Sequence, residues 1–122
     1  MKFMLLVHHD EAAFELIGKD KQVQMLAESV ALTHQLHGNG QYLSASPLHP
    51  AASAVVVRVR DGKPIVTDGP FIETREQIAG YFLIDAKDFE QATQIAIRVP
   101  GARIGTVEVR PLREISGLPG EE

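Results

Sequence analysis

The sequence predicts a single α+β domain with the element order of a ferredoxin-like sandwich, and three observations support this prediction. The chain has 122 residues, which is the size of one domain. Short β-rich runs alternate with two segments of helical periodicity in the order β-α-β-β-β-β-α-β. With right-handed crossovers, two such helices lie on one face of an antiparallel sheet. We expect the domain to span residues 1–112 and to be followed by a flexible tail, 113–122.

The first half of the chain predicts two strands and one long helix. Residues 2–7 form an almost uninterrupted apolar run, which is typical of a central strand covered on both faces. Over residues 21–37 apolar side chains recur at spacings of three and four, which predicts an amphipathic helix that ends at Gly38. Residues 41–45 predict a second short strand, and the prolines after it indicate an exposed connection.

The second half predicts a hairpin, two further strands and a second helix. Valines alternate over residues 54–60, and Asp61-Gly62 is a strong turn signal before a return strand that starts at Pro64. Residues 80–84 are β-rich. A second helix is expected from an N-cap at Asp88 to the Pro100-Gly101 step, and a last alternating strand is expected at 106–110.

The apolar pattern of the two central strands requires a second covering layer. Two helices cover only one face of such a sheet, yet residues 2–7 and 80–84 carry apolar side chains on both faces. We therefore expect another element on the second face. A second copy of the chain is the simplest candidate, because two-fold dimers are the commonest oligomers.

Composition and charge exclude several classes of function. The formal net charge is −4, so the chain lacks the basic surface typical of nucleic-acid or anionic-membrane binding. The absence of cysteine excludes disulfides, thiolate nucleophiles and cysteine-ligated metals. The first apolar run is too short for a signal peptide or a membrane span, so a cytoplasmic location is expected by default.

The segment from Val66 to Phe82 is the predicted functional centre. Within it, Asp68 precedes a Gly69-Pro70 step and the ring of Phe71. Proline fixes its own φ and restricts the preceding residue, and glycine allows a ligand to approach closely, so Asp68 would be held in one direction. An Asx-turn, in which Asp68 caps its own backbone, explains the same residues.

Two histidines and an arginine complete the candidate site. His8 and His9 end the first strand and point to opposite faces, so only one of them can share a cavity with Asp68 as an acid/base pair. Strand-end polarity explains them equally well. Arg75 is a candidate clamp for a carboxylate ligand, although it could instead form a surface ion pair with Glu73 or Glu76.

The polar sides of two strands suggest where a small anion would bind. Arg58 and Arg60 lie opposite the valines of their strand, and Glu108 and Arg110 do the same in the last strand. We expect these side chains on the uncovered face, which would favour a small anionic ligand. His34 and His37 have the spacing of metal ligands but no recognisable third partner, so no metal or other cofactor is expected.

Several segments of the sequence resemble one protein family. DGPF, ETREQIAGYF and VEVRPL, together with KFMLLVH and the hairpin VVVRVRDGKPIVTDGPF, are similar to the DGPF branch of the YCII-related family over nearly the whole chain up to Leu112. The resemblance implies a ferredoxin-like domain that dimerises through its sheets as a dimeric α/β barrel, as in muconolactone isomerase. It also implies, through genes near alternative sigma factors, an accessory regulatory role.

The resemblance gives only a general expectation of activity. Some relatives use a histidine–aspartate pair whose histidine corresponds approximately to Ser29 here, so a pair in this chain would have to recruit His8 or His9. We expect a cofactor-free enzyme that uses Asp68 with one of these histidines, and Arg75 or Arg58 as an anion clamp, on a small polar or carboxylate-bearing molecule. The alternative is a non-catalytic dimeric module that binds a ligand or a regulatory protein.

Overall fold

The computed structural model describes residues 1–120, which form an α+β fold around one four-stranded antiparallel sheet. The elements of the described chain are, in order, β1 (Lys2–His9), α1 (Glu11–Leu16), α2 (Lys19–Gly38), β2 (Tyr42–Pro47), β3 (Val55–Arg60), β4 (Lys63–Asp68), β5 (Gln77–Asp85), α3 (Phe89–Ile97) and β6 (Thr106–Pro111). The strand order β2-β5-β1-β6 is compatible with a ferredoxin-like fold into which the β3–β4 hairpin is inserted.

Alternation along β1 assigns its side chains to two faces of the sheet. Phe3 pairs with Ile84 of β5, and Leu5 lies between Phe82 of β5 and Val109 of β6. Directly paired residues share a face, and these residues are packed with α2 and α3 in one core. The largest fully buried side chains of this core are Phe3, Leu5, Leu36, Ile84 and Val99.

The other face of the sheet, here called the open face, has no helix on it within residues 1–120. Met4 pairs with Leu83, and Leu6 pairs with Tyr81. These side chains are half-buried, and the hydroxyl of Tyr81 lies 3.0 Å from that of Ser44 in β2, while the helices pack with the core residues of the opposite face. The open face is therefore the apolar layer that the sequence predicts to need a cover.

The helices begin where polar side chains cap their first turns. Asp88 accepts a hydrogen bond from the Gln91 amide at 2.9 Å, as the predicted N-cap requires. The short helix α1 was not predicted. It begins at the Asp10 cap, whose carboxylate accepts from the Ala13 amide, and it is followed by Gly18, whose φ is 91°.

Two strands are longer than their apolar runs. Strand β1 continues to His9 and β5 begins at Gln77 instead of residue 80, because His8 and His9 pair with Ile78 and Gln77 across a register shift. Hydrogen-bonded pairing continues here without the hydrophobic pattern that would have predicted it. Residues 113–120 of the predicted tail form no helix or strand, and its last two residues lie outside the described residues.

The predicted hairpin is confirmed, but it does not belong to the main sheet. Asp61 and Gly62 both have positive φ, 51° and 74°, as a two-residue hairpin turn requires. Within residues 1–120, strands β3 and β4 pair with each other and with no strand of the main sheet. The expectation that Arg58 and Arg60 line the open face is therefore wrong, because both belong to this separate hairpin. No helix of residues 1–120 is long and apolar enough to cross a membrane.

A close backbone approach at Gly105 fixes the end of β1. A Cβ at this position would overlap the carbonyl oxygen of His8, and it would lie 3.1 Å from the Cα of His9. Both contacts are with backbone atoms, which have no rotamer with which to move away. The position of the two histidines therefore depends on a residue that has no side chain.

We predict that Gly105→Ala lowers the free energy of unfolding by roughly 1–3 kcal/mol, the usual cost of an inserted methyl that has no space. Gly38→Ala is the matched control, because a Cβ there meets nothing within 4 Å and its helical position favours alanine. Urea unfolding of both variants and of the wild type measures the free energy of unfolding. Equal stability of the two variants would contradict the close approach.

Candidate functional site

His9 lies at the end of β1 and points to the helix side of the sheet, as the alternation of the strand predicts. Its ring stacks on Phe14 of α1, with ring centroids 4.6 Å apart and an interplanar angle of 28°. Helix α1 thus holds one side of the imidazole. Within residues 1–120 the ring nitrogens of His9 make no hydrogen bond, so they are available to a bound molecule.

His9 lines a cavity between α2 and the sheet, which we call the helix cavity. The second half of α2 is packed tightly, with Leu32 and Leu36 buried. The first half stands away from the sheet, so that Leu26 and Val30 are about half exposed, at 52% and 48%. The space left between this half of α2 and the sheet has a volume of about 300 Å³.

The walls of the helix cavity are mostly apolar. Its lining residues include no Lys, Arg, Asp or Glu. The hydroxyl groups of Ser29 and Thr33 donate to the carbonyl oxygens of Met25 and Val30 in their own helix. Both hydroxyl protons are therefore engaged in hydrogen bonds within the helix. His9 is the histidine in the lining of this cavity. The main apolar contributions come from Val7, Phe14, Met25, Val30, Phe82 and Ile104.

Burial changes the acid–base behaviour of His9. Loss of hydration lowers the pKa of His9 below its ordinary value, because burial disfavours the charged imidazolium. The negative charges of Glu11, Asp10 and Glu76 oppose this shift, but they do not outweigh it. His9 is thus held as a neutral imidazole near pH 7, the form that accepts a proton.

His8 lies on the opposite, open face of the sheet. Its Nε2 atom is 3.1 Å from Oε1 of Glu108, and the other carboxylate oxygen of Glu108 is 3.5 Å from Arg110. Of the four polar strand residues expected on this face, Glu108 and Arg110 are present. His8 and His9 therefore serve different surfaces, separated by the sheet.

The DGPF segment lines a second cavity, here called the hairpin groove, of about 580 Å³. Pro70 and Phe71 form part of its wall, and His8 is also among its lining residues. The guanidinium of Arg58 lies 5.1 Å from the centre of the Phe71 ring, within the range of a cation–π contact. The structure thus brings His8, Arg58, Pro70 and Phe71 together, on the side of the sheet away from His9.

Asp68, Gly69 and Arg75 lie outside both cavities. Asp68 is exposed at the end of β4, and its carboxylate makes no hydrogen bond or ion pair within residues 1–120. It is therefore neither paired with an imidazole nor engaged in an Asx-turn there. Gly69, with φ of 93°, donates its amide to Ala54 and closes the root of the hairpin. The side chain of Arg75 is 92% exposed, and its Nε atom lies 3.9 Å from Oδ2 of Asp10. Within residues 1–120 it forms no ion pair with Glu73 or Glu76.

Among the residues that the structure describes, no group of three or more His, Asp or Glu side chains could hold a metal ion. His34 and His37 are exposed on the outside of α2, and the ring of His37 faces that of Tyr42 at 6.4 Å. They form no site with other ligands in this part of the chain.

The elements that build the helix cavity were not predicted from the sequence. Phe14 lies in α1, which at six residues is too short to show helical periodicity. Its signal was present in the sequence, since an Asp followed by Glu-Ala-Ala and ended by Gly18 is a typical short capped helix. The cavity itself depends on how far α2 stands from the sheet, for which periodicity gives no information.

We predict that His9 titrates below the ordinary histidine value of about 6.5 in an NMR pH titration, with its resonance assigned by its loss in His9→Gln. Phe14→Ala should move this pKa back upward, because it removes the ring that excludes water from the imidazole. Because the pKa of His9 is lower in the folded chain than in the unfolded chain, the unfolded chain binds a proton at His9 more readily. The free energy of unfolding should therefore fall as the pH drops through about 6.5. A pKa of His9 at or above the ordinary value would contradict the burial described.

Comparison with known proteins identifies the family. The family model described as "YCII-related domain" matches residues 1–116, which includes every strand and helix of the structure. The chain is also similar to an uncharacterized protein, R00369, of Rhizobium meliloti (strain 1021). The two are 31% identical over 114 residues, and the match covers 92% of each chain. The chain therefore belongs to the YCII-related domain family, as its sequence segments and its α+β fold both indicate.

Proposed function

We propose that the chain binds a small, uncharged and largely apolar molecule in the helix cavity, and that His9 exchanges a proton with it without a cofactor. The observation that carries this proposal is the position of His9, a partly buried imidazole with free ring nitrogens in an apolar cavity. Apolar cavities with one perturbed titratable group are typical of binding and active sites.

The lining of the cavity favours a neutral substrate over the carboxylate expected from the sequence. A carboxylate loses its hydration on entering an apolar cavity, and this loss is costly unless a cation or several donors replace the water. None of the lining residues is Lys or Arg. A cavity of about 150 Å³ suffices for benzene, so about 300 Å³ corresponds to a substituted single ring or a molecule of similar size.

The chemistry that suits His9 is proton removal. A neutral imidazole accepts a proton from a weakly acidic O–H or C–H group placed within hydrogen-bond distance. The imidazolium so formed is poorly hydrated in this cavity and readily returns the proton. Delivery to a second position of the same molecule completes an isomerisation, with atoms and charge balanced. Asp68 has no imidazole in contact within residues 1–120, which favours His9 as the proton carrier.

A second candidate function is binding without turnover, in a non-catalytic dimeric module. The observation that favours it is the lack of a carboxylate beside His9 in the lining of the helix cavity. Without such a partner, the contact that orients the imidazole in the described part of the chain is its stacking on Phe14. A regulatory role linked to sigma factors stays a prediction, and so does membership of the DGPF branch of the family.

The open face supports the proposal that the chain forms a homodimer. Met4, Leu6, Tyr81 and Leu83 form a continuous apolar layer that the helices do not reach. Two such faces stacked about 10 Å apart would bury each other and form the dimeric barrel implied by the family resemblance. His8 and Glu108 would then lie at the edge of this contact.

We predict that 4-methylphenol raises the melting temperature of the protein in a thermal-shift assay at pH 7, whereas benzoate, which is of similar size but anionic, does not. His9→Gln should weaken phenol binding by about 0.5–1.5 kcal/mol, the usual contribution of one hydrogen bond. Ser29→Phe should abolish it by filling the cavity.

The control is His49→Gln, which changes a histidine of the hairpin groove and leaves the helix cavity intact. Stronger stabilisation by benzoate than by the phenol would exclude the neutral-ligand proposal. Equal losses in His9→Gln and His49→Gln would exclude the helix cavity as the site.

A further inference from the structure

The face of α2 that lines the helix cavity carries polar side chains among its apolar ones. Gln22, Met25, Ser29 and Thr33 all line the cavity. Their spacings of three and four residues place them on one stripe of the helix. A stripe that only packs on a sheet is ordinarily apolar throughout. The polar members of this stripe are therefore candidates for contact with a bound molecule.

The hydroxyl of Ser29 retains the capacity to accept a hydrogen bond. Its proton is donated to the carbonyl oxygen of Met25 at 3.0 Å, in a partly buried hydrogen bond. A hydroxyl oxygen also has two acceptor positions. No donor within residues 1–120 reaches the Oγ atom of Ser29. This oxygen is therefore an unused acceptor in a residue of the cavity wall.

Gln22 offers an acceptor in the same way, at the His9 end of the cavity. Its side-chain nitrogen donates to the carbonyl oxygen of Phe14 at 2.9 Å. A carbonyl only accepts, so this contact fixes which end of the amide is the nitrogen. The Oε1 atom of Gln22 accepts no hydrogen bond within residues 1–120. Because the ring of Phe14 also stacks on His9, Gln22 and His9 lie at one end of the cavity.

Ser29 lies farther along the cavity than this pair. Seven residues separate Gln22 from Ser29, which corresponds to about 10 Å along the helix axis. A volume of about 300 Å³ accommodates a substituted single ring. A molecule that fills the cavity therefore extends from His9 toward Ser29, and the atom at its far end meets an acceptor.

We propose that the ligand of the helix cavity carries a second hydroxyl group, which donates to Ser29 while the first contacts His9. This inference rests on the neutral ligand proposed above and specifies its class. The ligand is an uncharged molecule with a hydrogen-bond donor at each end of an apolar body. An ether or ketone oxygen in the second position has no proton to share with Ser29, so its lost hydration is not replaced there.

Tyr42 also lines the cavity, and its hydroxyl makes no hydrogen bond within residues 1–120. A phenol hydroxyl can donate as well as accept, so Tyr42 would favour an acceptor on the ligand. The ring of Tyr42 faces that of His37 near the end of α2. His37 is about two helical turns beyond Ser29. A ligand that extends from His9 therefore meets Ser29 before it meets Tyr42.

The test compares 4-(hydroxymethyl)phenol with its methyl ether, 4-(methoxymethyl)phenol, by isothermal titration calorimetry. Both molecules carry a phenol hydroxyl for His9, but only the alcohol has a second donor. The wild type should bind the alcohol about threefold to tenfold more tightly than the ether, as one hydrogen bond predicts. Ser29→Ala should remove this difference, and the helix should persist because alanine favours it. The control is Thr33→Val, which removes a hydroxyl whose hydrogen bond is exposed, and which should keep the difference.

The outcomes separate this inference from the proposed function. If 4-methylphenol binds and the alcohol has no advantage over the ether, the second hydroxyl is overturned and the site stands. An advantage that is equal in the wild type and in Ser29→Ala would reflect the size of the ether and would overturn the role of Ser29. So would a loss confined to Thr33→Val. A preference for the ether that Tyr42→Phe removes would show that the ligand accepts from Tyr42. If none of the three phenols binds, both proposals fail.

Discussion

The pairing of β1 with a strand on each side organises the rest of the molecule. Because β5 and β6 both bind β1 in antiparallel register, every side chain of β1 is assigned to one face of the sheet. Phe3, Leu5 and Val7 are buried under the helices, while Met4 and Leu6 form the open face. The two histidines that follow inherit the same alternation. The sheet therefore separates two potential sites at the end of one strand.

The two sites differ in the chemistry that they offer. His9 is in an apolar cavity without charged lining residues, where burial lowers the pKa of the imidazole. His8 interacts with Glu108, which also lies near Arg110, at the edge of the face that we propose is covered by a second copy. The first arrangement suits a neutral ligand and proton exchange. The second suits an interface in which charged groups surround an apolar centre.

Much of the fold could be predicted because its signals are local. The Asp61-Gly62 turn, the Asp88 cap and the valine alternation each depend on a few neighbouring residues, and the structure contains all three. The opposite directions of His8 and His9 also follow from alternation alone. The separation of the hairpin from the sheet is not local, and for this reason the expected position of Arg58 on the open face was wrong.

The candidate site was less predictable, because it depends on the packing of distant elements. Phe14, Met25 and Ile104 come from three separate parts of the chain and meet only where α2 stands off from the sheet. Asp68 is conspicuous in the sequence because the unusual Gly69-Pro70 step follows it. In the structure this step shapes the root of the hairpin, and the Asp68 carboxylate has no partner within residues 1–120. A distinctive backbone motif and a reactive side chain are thus different features of a sequence.

The central claim is that the helix cavity beside His9 is the ligand site of this protein. It is tested most directly by the anomalous bromine signal in a crystal of the protein soaked with 4-bromophenol. We predict one bromine peak within the helix cavity, with the phenol hydroxyl at hydrogen-bond distance from a ring nitrogen of His9. A peak in the hairpin groove beside His8 and Phe71, with an empty helix cavity, would show that the helix cavity is not the ligand site.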